Sequence, residues 1–290
     1  MDWGTSFLRG ALLDAQGHVL DERGFERGIL TVKPGEFSSV FKSCFSDWIL
    51  LDRVVCLIAG MAGSKQGWLE VPYCPCPAGF DDISAQLSWL EKDCLAIVPG
   101  LTCENDGGPD VMWGEETQVL GALEILGLDE GVFVLPGTHS KWVTVQNEKI
   151  QHFETLMTGE FYALLSLHSI LAKSLPVGSV ATDWSAFDQG VALAQRSRSL
   201  MATAFSVRTL SLFERIPATA LPSYLSGLLI GEELRTQAQL MDKPLIVIGS
   251  PHLTERYQRA LNHYGVHALC IGAEATWRGL WSLAQSKLYK

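Results

Sequence analysis

Apolar positions along the chain recur with two periods, one of strands and one of helices. Residues 7–13 and 18–23 read as a β-hairpin turning at Ala15-Gln16-Gly17. Phe37, Val40, Phe41, Phe45 and Trp48 recur at helical spacing. Residues 54–59 and 94–98 are short apolar runs of buried-strand length, closed by Gly60 and by Pro99-Gly100. A helix is predicted over 111–126. The pattern then restarts. A strand is predicted over 132–135, ending at Pro136-Gly137-Thr138, and a hairpin over 141–146 and 149–154 around Asn147-Glu148. Helices follow over 160–175, 184–199, 203–213 and 225–240, then a strand over 245–248, a helix over 254–264, a strand over 266–271 and a closing helix over 275–288. Strands alternating with helices predict an α/β fold. The hairpins predict mixed rather than purely parallel sheets. Gly4-Thr5-Ser6 and Gly137-Thr138-His139-Ser140 each open a hairpin-then-helix series, which predicts two related halves.

At 290 residues the chain fits one large domain or two modest ones. Its formal charge of −10 argues against a nucleic-acid partner. No apolar run approaches the length of a membrane span. The opening Met1-Asp2-Trp3 has neither a basic nor an apolar leader, so no secretory signal is read. Seven cysteines, an odd number with Cys44, Cys56, Cys94 and Cys270 in apolar surroundings, suggest a reduced, cytoplasmic protein.

The two Gly-Thr turns carry the first chemical signal. Glycine lets backbone N–H groups approach a phosphate, and the neighbouring hydroxyls add donors. Neither turn is a P-loop, and no G-x-G-x-x-G opens a helix. An ordinary hairpin entry explains either turn alone; two of them, one per half, point to a polyphosphate held between them. Asp2, beside the first turn, is a candidate to hold Mg²⁺ through water, the alternative being a solvated terminus. Lys141, after the second turn, offers phosphate a positive charge. His139 reads as a hydrogen-bonding turn histidine.

Asp110, Glu115 and Glu116 are read as acidic residues at the start of the helix over 111–126. Capping accounts for Asp110, and less well for the other two. A carboxylate here is a candidate to take a proton from a sugar hydroxyl. Gly60-Met61-Ala62-Gly63-Ser64-Lys65-Gln66-Gly67-Trp68, followed by Pro72-Tyr73, has the composition of a polyol-pocket loop, or of an ordinary surface loop. Cys74-Pro75-Cys76 lacks the spacing and partners of a zinc site, so no metal is assigned to it. No Gly-x-Ser-x-Gly occurs. Gly231, Gly249-Ser250 and Gly272-Ala273 stand where small residues could accept a nucleoside, or merely make tight turns.

Five segments together resemble the 2-dehydro-3-deoxygalactonokinase family. They are Asp2-Trp3-Gly4-Thr5-Ser6-Phe7-Leu8-Arg9; Gly60-Met61 with Gly67-Trp68 and Pro72-Tyr73; Val111-Met112-Trp113-Gly114-Glu115-Glu116-Thr117-Gln118; Pro136-Gly137-Thr138-His139-Ser140-Lys141-Trp142; and Thr158-Gly159-Glu160. The resemblance implies membership of the sugar kinase, hsp70 and actin superfamily, with two ribonuclease H-like lobes, mixed sheets and a cleft between the lobes. It implies transfer of the γ-phosphoryl group of ATP, with Mg²⁺, to the 6-hydroxyl of 2-dehydro-3-deoxy-D-galactonate, a step in galactonate degradation. On that resemblance Gly4, Thr5 and Ser6 form the first phosphate turn, and Gly137, Thr138, His139 and Ser140, with Lys141, form the second. Asp2 orients the hydrated metal. Gly249 and Ser250 sit by the adenosine. Glu115 matches the catalytic carboxylate best, before Asp110 and Glu116. Arg9 is a candidate fork for the sugar carboxylate, and Ser64, Gln66, Trp68 and Tyr73 are candidate sugar contacts.

Two features depart from the family pattern. Several apolar residues usually precede the Asp-Trp-Gly and form a central first strand; here Met1-Asp2 opens the sequence, so neighbouring backbone groups are expected to lack partners. An arginine usually stands where this chain has Trp113, which removes a charge beside the expected base. The expected lobes span 1–128 plus 273–290, for the sugar, and 129–272, for the nucleotide. The alternatives are a phosphohydrolase of the same superfamily and a catalytically eroded protein that still binds nucleotide or sugar. A homodimer is the default assembly.

Overall fold

The computed structural model describes residues 1–197 and 199–288. Strands β1 (Asp2–Trp3), β2 (Leu8–Leu13) and β3 (Val19–Phe25) form an antiparallel series. After helix α1 (Phe37–Ile49), β4 (Cys56–Gly60) returns parallel to β1, with Asp2 opposite Ala59 and Trp3 opposite Gly60. Next come β5 (Cys74–Pro75), α2 (Phe80–Ala85), β6 (Ser88–Glu91), β7 (Leu95–Ile97), β8 (Leu101–Asn105), β9 (Gly108–Met112) and α3 (Glu115–Leu126). The first large sheet has the order β3-β2-β1-β4-β7-β6, and β5-β8-β9 form a small separate sheet.

The series then repeats with β10 (Gly131–Leu135), β11 (Ser140–Gln146) and β12 (Lys149–Leu156). Helices α4 (Thr158–His168), α5 (Trp184–Arg196), α6 (Leu200–Thr203), α7 (Ser206–Leu212) and α8 (Leu221–Thr236) follow. The described chain closes with β13 (Leu245–Ile248), α9 (Pro251–Asn262), β14 (Leu269–Ile271) and α10 (Glu274–Leu288). The second large sheet is ordered β12-β11-β10-β13-β14, with β13 parallel to β10. Each large sheet therefore sets a hairpin on one side of its first strand and a parallel, helix-connected strand on the other. This is the α/β fold with mixed sheets that the sequence pattern predicts, and with the ribonuclease H-like units that the family resemblance implies. None of the described helices is long and apolar enough to cross a membrane.

The chain divides into two compact units. One comprises Met1–Gly131, Val143–Glu154 and the stretch from Ile271 onward; the other comprises Val132–Trp142 and Thr155–Cys270. The core of the first gathers Trp3, Phe37, Phe41, Phe45, Trp48 and Ile58. The core of the second is built on Val132, Val134, Phe187, Val191, Val247 and Leu261.

Several expectations need correction. Residues 111 and 112 are strand, not helix: Val111 pairs with Thr102 across β8 and β9. The helix waits until Glu115 because Gly114 turns the backbone to φ +101°, a left-handed value that a side chain disfavours. Glu115 and Glu116 thus lie in the first turn of α3, where the helix dipole favours them, and Asp110 lies on a strand. The helix expected over 203–213 is two short helices, α6 and α7. Cys94 and Cys270 are exposed rather than set in apolar surroundings. At the chain start, two backbone groups expected to lack partners have them. The Met1 amino group donates to the Leu57 carbonyl at 2.7 Å, and the Met1 carbonyl accepts from Ala59 N–H at 2.9 Å.

Candidate functional site

In the first unit, the segment from Gly4 to Ser6 turns its carbonyl groups inward. Gly4 O accepts from Ile29, Thr5 O from Leu30 and Ser6 O from Gly28, at 3.0 to 3.3 Å. Thr5 and Ser6 are exposed, and their backbone N–H groups have no protein acceptor among the described residues. A short run of outward N–H groups with its carbonyls tied back is an anion-binding concavity.

Asp2, one strand residue away, is mostly buried. Its Oδ2 accepts from Arg9 Nη2 at 2.6 Å. Arg9 is therefore engaged with Asp2 in this structure. The other oxygen, Oδ1, lies against two glycines: a Cβ on Gly60 would stand 3.0 Å from it, and one on Gly114 would stand 3.8 Å from it. Gly60 holds φ +90°, and a Cβ on Gly114 would come within 3.1 Å of the Gly60 Cα. The strand end at Gly60 and the helix start at Gly114 therefore approach closely beside the Asp2 carboxylate.

The first turn of α3 completes this cluster. Glu115 is half-buried, and its Oε2 accepts from Trp113 N–H at 2.9 Å. Glu116 is wholly buried; its Oε2 accepts from Gly114 N–H at 2.7 Å, while its Oε1 has no partner among the described residues. Burial pushes the Glu116 carboxyl well above the ordinary carboxylate range, and the charges of Glu115 and Asp2 push the same way. Asp110 sits elsewhere, on β9, accepting from its neighbour Val111 N–H and from Asn105 Nδ2. Of the three candidate carboxylates, the structure gathers Glu115 and Glu116 near Asp2 and leaves Asp110 among strand partners.

The loop after β4 is rigidly folded. The Ser64 hydroxyl is buried and donates to Met61 O at 2.8 Å. Gln66 is exposed. Trp68 turns its ring into the core, edge-on to Trp3 at 6.0 Å and beside Phe41 at 5.5 Å. Tyr73 lies on the surface, and its hydroxyl accepts from the Trp113 indole N–H at 2.8 Å. The two rings stand 4.7 Å apart. Trp113 in turn packs on the faces of Gly63 and Gly100, where a Cβ at either position would meet its ring at 2.6 Å. Sequence reasoning treated Trp113 only as a departure from a pattern. Trp113 directly follows buried Met112, the last residue of β9, a strand that the sequence conceals.

In the second unit, Thr138 and His139 are exposed, and the N–H groups of Gly137, Thr138 and His139 have no protein acceptor among the described residues. Helix α4 holds this turn from behind. Glu160 N–H donates to Thr138 O at 3.0 Å, the Glu160 carboxylate meets His139 Nε2 at 2.6 Å, and Gly159 is pressed against Gly137, where a Cβ would stand 2.4 Å from its carbonyl.

The next two residues face inward. The Ser140 hydroxyl lies 3.1 Å from the Tyr257 hydroxyl in the core, and Lys141 is buried with Nζ donating to Thr155 Oγ1 at 2.6 Å. Ser140 belongs to a network around buried Glu233, whose carboxylate accepts from Trp142 Nε1 at 2.8 Å, from Tyr257 Oη at 2.7 Å and from the Thr158 hydroxyl. Burial raises the Glu233 carboxyl, and these donors pull it back down. Gly249 abuts Pro136, and Ser250 is the exposed N-cap residue of α9.

Two cavities of the second unit meet behind this turn. The larger, about 700 Å³, is lined by apolar residues such as Pro176 and Val177 together with Thr182, Ser223 and His252. The smaller, about 110 Å³, reaches Gly137, Thr158 and Gly159. Tyr162 and Arg256 line both.

The family model of the 2-keto-3-deoxy-galactonokinases matches residues 2–283. The chain belongs to that family. It is 32% identical to the 2-dehydro-3-deoxygalactonokinase of Escherichia coli K12, over 99% of this chain and 97% of that one. A crystal structure of a candidate 2-dehydro-3-deoxygalactonokinase from Sinorhizobium meliloti matches with a TM-score of 0.91 and 32% identity, covering 100% of this chain and 98% of the other. More remotely, the activator of 2-hydroxyisocaproyl-CoA dehydratase from Clostridium difficile shares the fold, with a TM-score of 0.52 at 12% identity, covering 99% of this chain and 94% of that one.

Proposed function

We propose that this member of the family transfers the γ-phosphoryl group of ATP to the 6-hydroxyl of 2-dehydro-3-deoxy-D-galactonate. The observation that carries the reading beyond family membership is the pair of Gly-Thr turns. Each presents backbone N–H groups that have no protein acceptor among the described residues, as a polyphosphate requires.

In this reading Gly4, Thr5 and Ser6 of the first unit and Gly137, Thr138 and His139 of the second are each phosphate-binding turns. The residues of 1–128 with 273–290 serve the sugar, and 129–272 serve the nucleotide, with Gly249 and Ser250 toward the adenosine. Ser140 and Lys141, turned inward, act by shaping the second turn rather than by touching phosphate. Tyr73, Gln66 and Trp113 offer the sugar an amphipathic wall; Ser64 and Trp68 fix the loop that carries it.

Glu115 takes the proton of the attacking hydroxyl. It is the partly accessible carboxylate of the α3 start, whereas Glu116 is sealed and Asp110 is bound on a strand. As the hydroxyl oxygen bonds to the γ-phosphorus, the bond from that phosphorus to the bridging oxygen breaks and ADP leaves. Holding the hydroxyl in line and deprotonating it as the bond forms are the tasks left to the chain.

Mg²⁺ fits this chain through Asp2. Its Oδ1 is a hard oxygen donor not used by Arg9, and one carboxylate plus waters is an ordinary Mg²⁺ environment. When bound, the ion would neutralise charge on the phosphates. Arg9, by pairing with Asp2, fixes the carboxylate's orientation, and a sugar carboxylate would have to share that guanidinium.

The deciding experiment is ADP release coupled to a reporter enzyme, with Mg²⁺-ATP and with or without 2-dehydro-3-deoxygalactonate. Sugar-dependent ADP release is expected. ADP release independent of the sugar would favour a phosphohydrolase, and nucleotide binding without turnover would favour a non-catalytic binder.

A further inference from the structure

Arg256, on α9, is a cation without a counter-charge. Its Nη1 donates to Ser226 Oγ at 3.1 Å and its Nη2 to Thr182 Oγ1 at 3.2 Å, both neutral hydroxyls. Its Nε is sealed from solvent and has no acceptor among the described residues. No ion pair forms on it among the described residues, whereas Arg235 and Arg259, its neighbours in the same unit, are each held by a carboxylate at 2.6 or 2.7 Å. Half-burial disfavours its charge, and Glu255 and the Tyr162 hydroxyl help it only at a distance. A buried donor left without an acceptor costs stability. A charge kept out of water without a partner costs more. A guanidinium that lines a cavity with no counter-charge in the fold is expected where an anionic ligand supplies one.

The cavities say which ligand. Arg256 stands where the roomy cavity, with its apolar and hydroxyl lining, meets the small one that runs to Gly137 and Gly159. The first has the size and lining of a nucleoside site; the second leads to the backbone of the second Gly-Thr turn. We infer that Arg256 binds the phosphate nearest the ribose of a nucleoside di- or triphosphate, between the nucleoside and the Gly137 turn. This rests on the kinase reading and adds to it a residue that sets the enzyme's preference for phosphorylated over unphosphorylated nucleoside. Arg256 is a binding residue here, with no part in moving the proton or the phosphoryl group. Each Nη keeps a second N–H beyond the one it gives a hydroxyl, and the pair can meet two oxygens of one phosphate.

The test compares wild type with Arg256→Gln and Arg256→Lys by calorimetric titration with ADP and, separately, with adenosine. Wild type is expected to bind ADP more tightly than adenosine. Arg256→Gln is expected to lose about 10- to 100-fold in ADP affinity while adenosine affinity stays within about twofold, and Arg256→Lys to fall between. Without nucleotide, Arg256→Gln is expected to melt no lower than wild type, because it removes an uncompensated charge. That melt also checks its folding. Wild-type ADP binding matched by a folded Arg256→Gln would overturn the inference and leave the kinase reading standing. Equal loss of ADP and adenosine would overturn it too, since the residue would then shape the pocket only. Failure of wild type to bind ADP would overturn both.

Discussion

The indole N–H of Trp113 donates to the hydroxyl of Tyr73 at 2.8 Å, tying the residue before Gly114 to the end of the loop after β4. One aromatic is thereby fixed by the other, and Trp113 is pinned on its far side by Gly63 and Gly100. Tyr73→Phe keeps the ring contact and removes the acceptor, a change of about 1 kcal/mol. We expect KM for the sugar acid to rise by roughly that equivalent, several-fold, with KM for ATP and kcat little changed. Steady-state kinetics with each substrate varied in turn would check it; an unchanged sugar KM would remove this pair from the sugar wall.

Glu115 and Asp110 make opposite predictions. If Glu115 receives the hydroxyl proton, Glu115→Gln should cut kcat by about 10²–10⁴ while ADP still binds. Asp110→Asn, on a strand and bonded to Asn105, should leave kcat within a few-fold. Coupled ADP release and nucleotide titration on both variants separate chemistry from binding. A large loss in Asp110→Asn alone would move the base to β9.

Strands β4, β7, β10 and β13 were legible in the sequence because they are near-continuous apolar runs bounded by turn residues, whereas β1, of two residues, and β6 were not. The Val132–Leu135 segment and Leu245–Ile248 are examples. The Gly137-Thr138 turn was legible for the same reason, since it punctuates such a run; the first turn follows only Asp2-Trp3 and stood out by its likeness to the second. The small β5-β8-β9 sheet was not. Its strands carry Cys, Pro, Thr, Glu, Asn and Asp, and β5 is two residues long, so neither period stands out. That missed sheet made Val111 the first residue, and Asp110 the cap, of a helix that begins only at Glu115. Ser140 and Lys141 were misjudged differently. Sequence proximity to a turn says nothing of side-chain direction, and on a strand Ser140 points to the Glu233 network. Arg256 was invisible because a charged residue on an amphipathic helix reads as solvated unless its partners are known.

The buried acid Glu116 sets a pH dependence of stability. Its folded pKa is raised, so the native state prefers the neutral carboxyl. Its contribution is complete below the ordinary carboxylate pKa and is lost as pH rises through the folded value. Glu116→Gln keeps an oxygen for the Gly114 N–H and cannot ionise. The variant is expected to gain on wild type as pH rises from about 5 to 8 in thermal melts. A constant difference between the two proteins across that range would mean that Glu116 is charged in the fold.

The close contact of α3 and α10 rests on two glycines. A Cβ on Gly279 would stand 1.9 Å from the Thr117 carbonyl oxygen, and one on Gly121 would stand 1.9 Å from the Ala275 carbonyl. Both obstacles are backbone, so no rotamer change can clear them, and the helices must separate. Gly279→Ala is therefore expected to destabilise by about 1–3 kcal/mol or more, despite the helix propensity that alanine adds. Gly107→Ala is the control, since a Cβ there meets nothing within 4 Å; its effect should stay within about 0.5 kcal/mol. The consequence reaches the candidate site because Thr117 belongs to the first turn of α3. Its hydroxyl donates to Gly114 O at 2.7 Å, on the segment that sets Glu115 and Glu116 beside Asp2. A displaced α3 should lower kcat at temperatures where Gly279→Ala is still folded, and denaturant melts with kinetics at one low temperature would show both effects. Lost stability with wild-type kcat would mean that α10 bears the whole displacement and that the start of α3 is held by the glycine pair at Gly60 and Gly114 alone.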